Sequence, residues 1–311
     1  MSEFSALLDG YLQVRRAHGY GLVRAEKLLA QFDRWLELDT QPGTNCVFTR
    51  AQALTWASLP GGSPSWQHYR LGVVRSFALW LDSRGLPVEV PSLKLLPKAG
   101  HRAIPYQYRD DDITALMAVC GEVFSPFRAA TMRTLTGLLA VTGLRVGEAI
   151  GLDIDDLDLA DGRVRVRHAK GGKDRLVFLR PSSCQAVAGY LACPRRPVAK
   201  DPALFVSLAG TRLLYCNVQE GFTRMTRACR LQPQPGASPR LHDLRHRFAT
   251  NTIAAAYQPG AADSPERTLT LLSTWLGHVD PANTYWYLEA SPSLLALAAA
   301  RLEPVPQEDR P

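Results

Sequence analysis

Lysine is scarce in this chain. Of its 36 basic residues only six are lysines, at 27, 94, 98, 170, 173 and 200. Cysteine is thin as well: the six, at 46, 120, 184, 193, 216 and 229, include no C-x-x-C pair, and no histidine spacing completes a zinc pattern. A structural zinc site is therefore not expected. No apolar run approaches the ~18 residues of a membrane span. The opening MSEFSALLDG lacks a basic segment followed by an apolar one, so no secretory signal is read there. Reduced thiols, a cytoplasmic location and no membrane partner are the expectations. A nucleotide-binding phosphate loop is also missing, because KGGK at 170–173 falls short of G-x-x-x-x-G-K-[ST].

What is present is arginine, and its placement is uneven. The net charge of +7 and pI near 9.2 suit a polyanionic partner without identifying one. Between Arg163 and Arg180 there are seven basic residues and one acidic, whereas Asp153 to Asp161 holds five acidic residues and no basic one. Such segregation predicts one surface for phosphate and another for solvent.

At 311 residues the chain has room for two cores. Residues 1–90 read as a small helical domain. Apolar positions from Leu22 to Leu36 follow the helical period, Thr49 with Gln52 makes a capping box, and Trp66 to Leu81 is amphipathic. Residues 91–106, with their prolines and Lys94, Lys98 and Arg102, read as a linker. From 107 to 311 a second domain is expected. It has helices at 111–120, 126–141 and 146–152, then a hairpin of RVRVRH (163–168) and RLVFL (175–179). Further helices are read after Pro181 and over 217–229, 243–256, 267–276, 283–289 and 293–302, with Leu204–Val206 as one more strand. The fold class is mainly α with a small β-sheet.

Six residues in the second domain stand in short distinctive phrases: Arg145 in TGLRVGEAIGL, Lys170 in HAKGGKDRLVFL, His242 and Arg245 in LHDLRHRFAT, His278 in WLGHVD and Tyr287 in NTYWYL. Together they supply what attack on a phosphodiester by a phenol needs. Transesterification at phosphorus loads negative charge onto the non-bridging oxygens, where fixed cations help most. Arginine suits that task, since its planar fork donates paired hydrogen bonds and never loses its charge. His242 and Arg245, three apart, share a helix face, and histidine exchanges protons near neutral pH. A departing 5′-oxygen needs a proton, which lysine can surrender and arginine cannot. Two of the six lysines, Lys170 and Lys173, compete for that role in one turn. A phenol has a pKa near ~10, so a nucleophilic tyrosine needs a cationic pocket. Tyr285 and Tyr287 both qualify by type, but residues two apart on a helix cannot point the same way. Each residue taken singly also has an ordinary reading: Arg145 and the lysines as solvated turns, HDLRH as a basic helix start, Gly277-His278 as a helix cap, either tyrosine as a core anchor.

Taken together, the phrases and their order resemble the tyrosine recombinase, or phage integrase, family, closely from Tyr106 to Ala290 and more weakly before it. The resemblance selects Arg145 and Arg245 as the two arginines, Lys170 over Lys173, His242 and His278 as the two histidines, and Tyr287, nine residues after His278, as nucleophile. It implies an N-terminal core-binding domain and a catalytic domain forming a C-shaped clamp on double-stranded DNA. It also implies a 3′-phosphotyrosyl intermediate and no cofactor, because the bond energy is conserved; no metal is expected either, since the sequence shows no metal-binding constellation. The partners implied are paired recombination sites bound by a homotetramer, or a hetero-oligomer with related recombinases, in DNA integration or in movement of a mobile element. SPSLLALAAARLE resembles the segment that docks on a neighbouring protomer, with packing on its own domain as the alternative. Glu148 is read as a partner orienting a cation, and His246 and Arg247 as structural. Arg247 replaces a small hydroxyl residue, and 257–268 is longer than usual and expected to be a surface loop. Alternatives in function are a type IB topoisomerase-like enzyme and a catalytically silent DNA-binding protein.

Overall fold

The computed structural model describes residues 3–39, 46–97, 103–167, 174–278, 280, 282–289 and 291–300. Lys170 and Lys173, the turn between the hairpin strands, and the end of the last predicted helix beyond Ala300 lie outside them. The chain divides into two compact units, Met1–Arg102 and Ala103–Pro311.

The first unit is built from four helices: α1 (Glu3–Ala17), α2 (Val23–Leu38), α3 (Arg50–Ala57) and α4 (Pro64–Asp82). Their boundaries follow local chemistry. Thr49 accepts a hydrogen bond from the Gln52 amide while the Gln52 side chain accepts from the Thr49 amide, which is the expected capping box. Ser63 caps α4, and Pro64 takes the first position, where its missing N–H costs nothing. The core is aromatic: Phe32 lies 5.1 Å from both Phe48 and Trp56, and Phe4 lies 5.2 Å from Phe77.

The second unit contains α5 (Asp110–Val123), α6 (Pro126–Thr142), α7 (Val146–Gly151), strands β1 (Leu157–Asp158), β2 (Arg163–Val166) and β3 (Arg175–Phe178), α8 (Pro181–Leu191), α9 (Tyr215–Ala228), α10 (His242–Ala256), α11 (Pro265–Leu276), α12 (Ala282–Glu289) and α13 (Pro292–Ala300). Helix α6 is the hub, packed on α5, α8 and α10. A smaller cluster of Ala249, Ile253, Leu272, Leu276, Tyr287 and Leu294 joins α10 to α13. Helix α13 thus packs on its own unit, through Leu294.

The sheet is antiparallel in the order β1-β2-β3. Strand β1 is two residues long, too short to carry an alternation the sequence could betray. Leu204–Val206, expected as a strand, is buried but does not join the sheet: its neighbourhood makes only isolated bridges, Asp153 to Ala203 and Val206 to Arg212. Residues 257–264 form the loop between α10 and α11, and α11 begins at Pro265, inside the span expected to be loop.

The register of the hairpin decides which arginines face inward. Val164 pairs with Val177 and Val166 with Arg175, and directly opposite residues share a face. Val164, Val166 and Val177 are buried, so Arg175 points into the protein while Leu176 and Phe178 are exposed. The charges segregated in the sequence are also rejoined by the fold. Arg163 pairs with Asp158 and Asp161, Arg165 with Asp174, and Arg167 with Asp153 and Asp156. The expected division into a basic face and an acidic face therefore does not hold for these arginines: the chain's return before β2 lays the acidic stretch beside Arg163 and Arg167, and Asp174, just before β3, meets Arg165.

Gly143 ends α6 in the left-handed region, at φ 64°, and a Cβ there would stand 2.5 Å from a ring carbon of Phe248. Gly143→Ala should destabilise the protein by roughly 1–3 kcal/mol through backbone strain and crowding, read as a lower urea midpoint with an unchanged slope.

Candidate active site

Two helix ends meet at one guanidinium. The last carbonyls of a helix have no partners within it, and the helix dipole makes them favourable to a cation. Helices α6 and α11 both end on left-handed glycines, Gly143 and Gly277. Arg245, on the first turn of α10 and only 2% exposed, donates from Nη1 to the Gly143 carbonyl at 2.7 Å and from Nη2 to the Leu276 carbonyl at 2.8 Å. Its plane is fixed by main-chain oxygens, which carry no full charge to cancel its own. Burial pulls its pKa below the usual arginine value, and the nearby Tyr287 phenol opposes that pull.

His278 sits against the same guanidinium. Arg245 Nη2 lies 3.0 Å from His278 Nε2, and His278 Nδ1 lies 2.8 Å from the Thr284 hydroxyl. A guanidinium can only donate, so Nε2 must be the acceptor and Nδ1 must carry the proton it gives to Thr284 Oγ1. Thr284 is 2% exposed on α12, three residues before Tyr287. The ring of Tyr287 stacks on that of His278, with centroids 6.0 Å apart and planes 16° apart, and tilts against His246 at 5.2 Å. Tyr287 is 5% exposed and Tyr285 54%, the divergence that two positions along a helix impose.

Arg145 caps α7 on the other side of Gly143. Its backbone N–H donates to Glu148 Oε2 at 2.8 Å and its Nη1 to Glu148 Oε1 at 2.7 Å. Arg175 grips the same carboxylate with both terminal nitrogens, at 3.1 and 2.8 Å. Burial alone would raise the Glu148 pKa, but the hydrogen bonds from Arg175 and Arg145 outweigh it and hold it at about 2. Glu148 is thus an ionised partner of two cations, as read from the sequence, and not a proton donor. His242, the first residue of α10, reaches solvent. Desolvation in the crevice lowers its pKa, and the Arg245 and Arg145 charges lower it further. The accessible ring limits the first effect, so the arginine charges carry weight here. His242 stays neutral to a lower pH than a free imidazole.

The structure therefore gathers Arg245, His278 and Tyr287 in direct contact, with Arg145 and His242 within their electrostatic reach. Lys170 lies outside the described residues. Arg247 pairs with Asp110, and His246 is buried beside Tyr287. Sequence reading missed Arg175 and Thr284. The only cue to Arg175 was the register of the hairpin; Thr284 had a cue in the tyrosine phrase itself, an i+6 hydroxyl from His278.

Residues 107–293 match the phage integrase family. The chain is 37% identical, across 97% of its length and 98% of the relative's, to a Sinorhizobium fredii protein named as an integrase/recombinase, y4rB. It is 36% identical to the tyrosine recombinase XerC of Rhodospirillum centenum, across 70% of this chain and 59% of that one. Among solved structures, the XerH site-specific recombinase bound to palindromic difH substrate has a TM-score of 0.64 at 19% identity, covering 91% of this chain and 80% of XerH. The Tn1549 transposon integrase in complex with a circular intermediate DNA has a TM-score of 0.65 at 16% identity, covering 96% and 99%. These two share the fold.

Two outcomes follow. In 15N spectra the His278 ring should be the Nδ1–H tautomer; Thr284→Val should disturb that pattern and lower stability by about 1 kcal/mol, while Thr284→Ser preserves both. A ring protonated at Nε2 in the parent protein would overturn the assignment. Because the Glu148 pKa is depressed from 4.5 to about 2, its ion pairing stabilises the fold fully above pH 4.5 and is lost as pH falls toward 2. Glu148→Gln should therefore cost on the order of a few kcal/mol at pH 7 and flatten the acid limb of a stability–pH curve.

Proposed function

The chain belongs to the phage integrase family of tyrosine recombinases, and from that premise we propose that Tyr287 is the nucleophile of a site-specific DNA strand exchange. The observation that carries this reading is the contact of Tyr287 with both His278 and Arg245 at a guanidinium held by two main-chain carbonyls and a neutral imidazole, with no carboxylate on it. Tyr287 Oη attacks the scissile phosphorus, the bond to the 5′-oxygen breaks, and a 3′-phosphotyrosyl link forms. Arg145 and Arg245 stabilise charge on the non-bridging oxygens, and His278, accepting from Arg245 through Nε2, orients that guanidinium; it becomes a donor to a non-bridging oxygen when Nε2 gains a proton. His242, neutral in the arginine field, carries protons. Lys170 protonates the departing 5′-oxygen, an assignment that rests on the family phrase alone. A 5′-hydroxyl from a second duplex then attacks the phosphotyrosine and restores the diester, so no energy cofactor is consumed.

Double-stranded DNA is the substrate. We assign the helical domain 1–90 and the linker 91–106 to DNA binding and 107–311 to catalysis, with four protomers on two paired sites in the cytoplasm. The relatives and structural neighbours are recombinases and integrases, which favours strand exchange over the relaxation of a type IB topoisomerase. The same kinship disfavours a silent DNA-binding protein.

Tyr287→Phe keeps the ring stack and deletes the one oxygen that can bond to phosphorus. On a nicked suicide substrate it should abolish the covalent protein–DNA adduct on a denaturing gel while leaving site binding intact. Tyr285→Phe should still form adduct. An adduct from Tyr287→Phe would show that another residue is the nucleophile.

A further inference from the structure

The active site described above leaves one buried cation without a task. Arg175 opens β3, directly after the turn segment, and faces inward on the buried side of the hairpin. Its side chain touches Glu148 on one side and the end of α11 on the other. Both terminal nitrogens hold the Glu148 carboxylate, at 3.1 and 2.8 Å. Nε donates to the Trp275 carbonyl at 2.8 Å, one residue before the Leu276 carbonyl that holds Arg245. The side chain also runs close to Gly277, where an added Cβ would stand 3.1 Å from Nη1. A side chain at the residue preceding His278 would therefore press on Arg175.

The charge count makes this more than packing. Glu148 touches Arg145 through Oε1 and through the Arg145 amide. If it served Arg145 alone, a carboxylate at 2.7 Å would cancel the charge meant for the phosphate. Shared with Arg175, the same carboxylate leaves a triad of two cations and one anion, with a net charge of +1. A buried cation paired in this bidentate way also keeps Glu148 from collapsing wholly onto Arg145.

We infer that Arg175 is a positioning residue for the strand-transfer reaction: it divides the Glu148 charge so that Arg145 keeps its own, and it sets the end of α11 that delivers the Leu276 carbonyl and the His278 ring to Arg245. This rests on the proposed role of Arg145 at a non-bridging oxygen. It adds to the set of six a residue whose action is electrostatic and indirect.

The test uses the full chain and two suicide substrates, one with an ordinary scissile phosphate and one with a methylphosphonate there. The methyl group replaces a charged non-bridging oxygen, so it relieves any defect in stabilising that charge. Arg175→Gln should slow adduct formation about 100-fold on the phosphate and less than about 10-fold on the methylphosphonate. Arg175→Lys, which keeps the charge but not the fork, should fall between Arg175→Gln and the parent on the phosphate. It also serves as the readout if Arg175→Gln does not fold, since it should show the same bias toward the methylphosphonate. Equal losses on both substrates, or no loss, would overturn the inference. Arg145→Ala run in parallel separates the two ideas. If methylphosphonate fails to relieve Arg145→Ala, the assignment of Arg145 is wrong. If it relieves Arg145→Ala and neither Arg175 variant, Arg145 stands and the role given to Arg175 is wrong.

Discussion

The constraint on which this site depends is the convergence of two helix C-termini on Arg245. A guanidinium buried to this degree loses much of its hydration, and something must replace it. A carboxylate would do so and would also neutralise the charge. Here the replacement is the Gly143 and Leu276 carbonyls, orphaned by the ends of α6 and α11. Their partial charges suffice to hold the group in place and leave its full charge available. Both helices can end so close together because Gly143 and Gly277 turn the chain through the left-handed region, and in each case a side chain would meet a neighbour, Phe248 or Arg175.

The rest of the site is arranged around that fixed cation. His278 follows Gly277 and is therefore delivered by the same helix end. Its orientation is completed by Thr284 on the helix that also carries Tyr287, so the imidazole and the phenol stack as one unit. Arg145 follows Gly143 by two residues and is delivered by the other helix end. One pair of glycine-capped termini thus positions both arginines, a histidine and, through α12, the tyrosine.

Net charge is handled differently at the site and on the hairpin. On the hairpin each of Arg163, Arg165 and Arg167 has a carboxylate partner; the exposed pairs of Arg163 and Arg165 contribute little to stability, whereas Arg167 rests on the buried Asp156. At the site, cations outnumber their carboxylate: Arg145 and Arg175 share Glu148, and Arg245 rests on carbonyls. A recombinase needs a surplus of positive charge where the phosphorane-like state forms. In this chain the surplus is local, and the overall charge of +7 says little about where it lies.

The sequence by itself determined much of this. Helical period and capping chemistry placed most of the helices, because those signals are local, as in the capping box of Thr49 with Gln52. The phrases around Arg145, Arg245, His278 and Tyr287 were legible, and so was the divergence of Tyr285 from Tyr287, which follows from helix geometry alone. Tertiary structure decided what depends on pairing between distant segments. The inward turn of Arg175 is a matter of strand register, since a shift of one residue would have buried Leu176 and Phe178 instead. The pairing of Arg163 and Arg167 with the acidic stretch required that stretch to fold back beside β2. The sharing of Glu148, 27 residues from Arg175, and the meeting of Gly143 and Leu276 at Arg245 arise only when the chain closes loops of widely different length. No local propensity encodes those distances, because they are set by how the helices and the sheet pack.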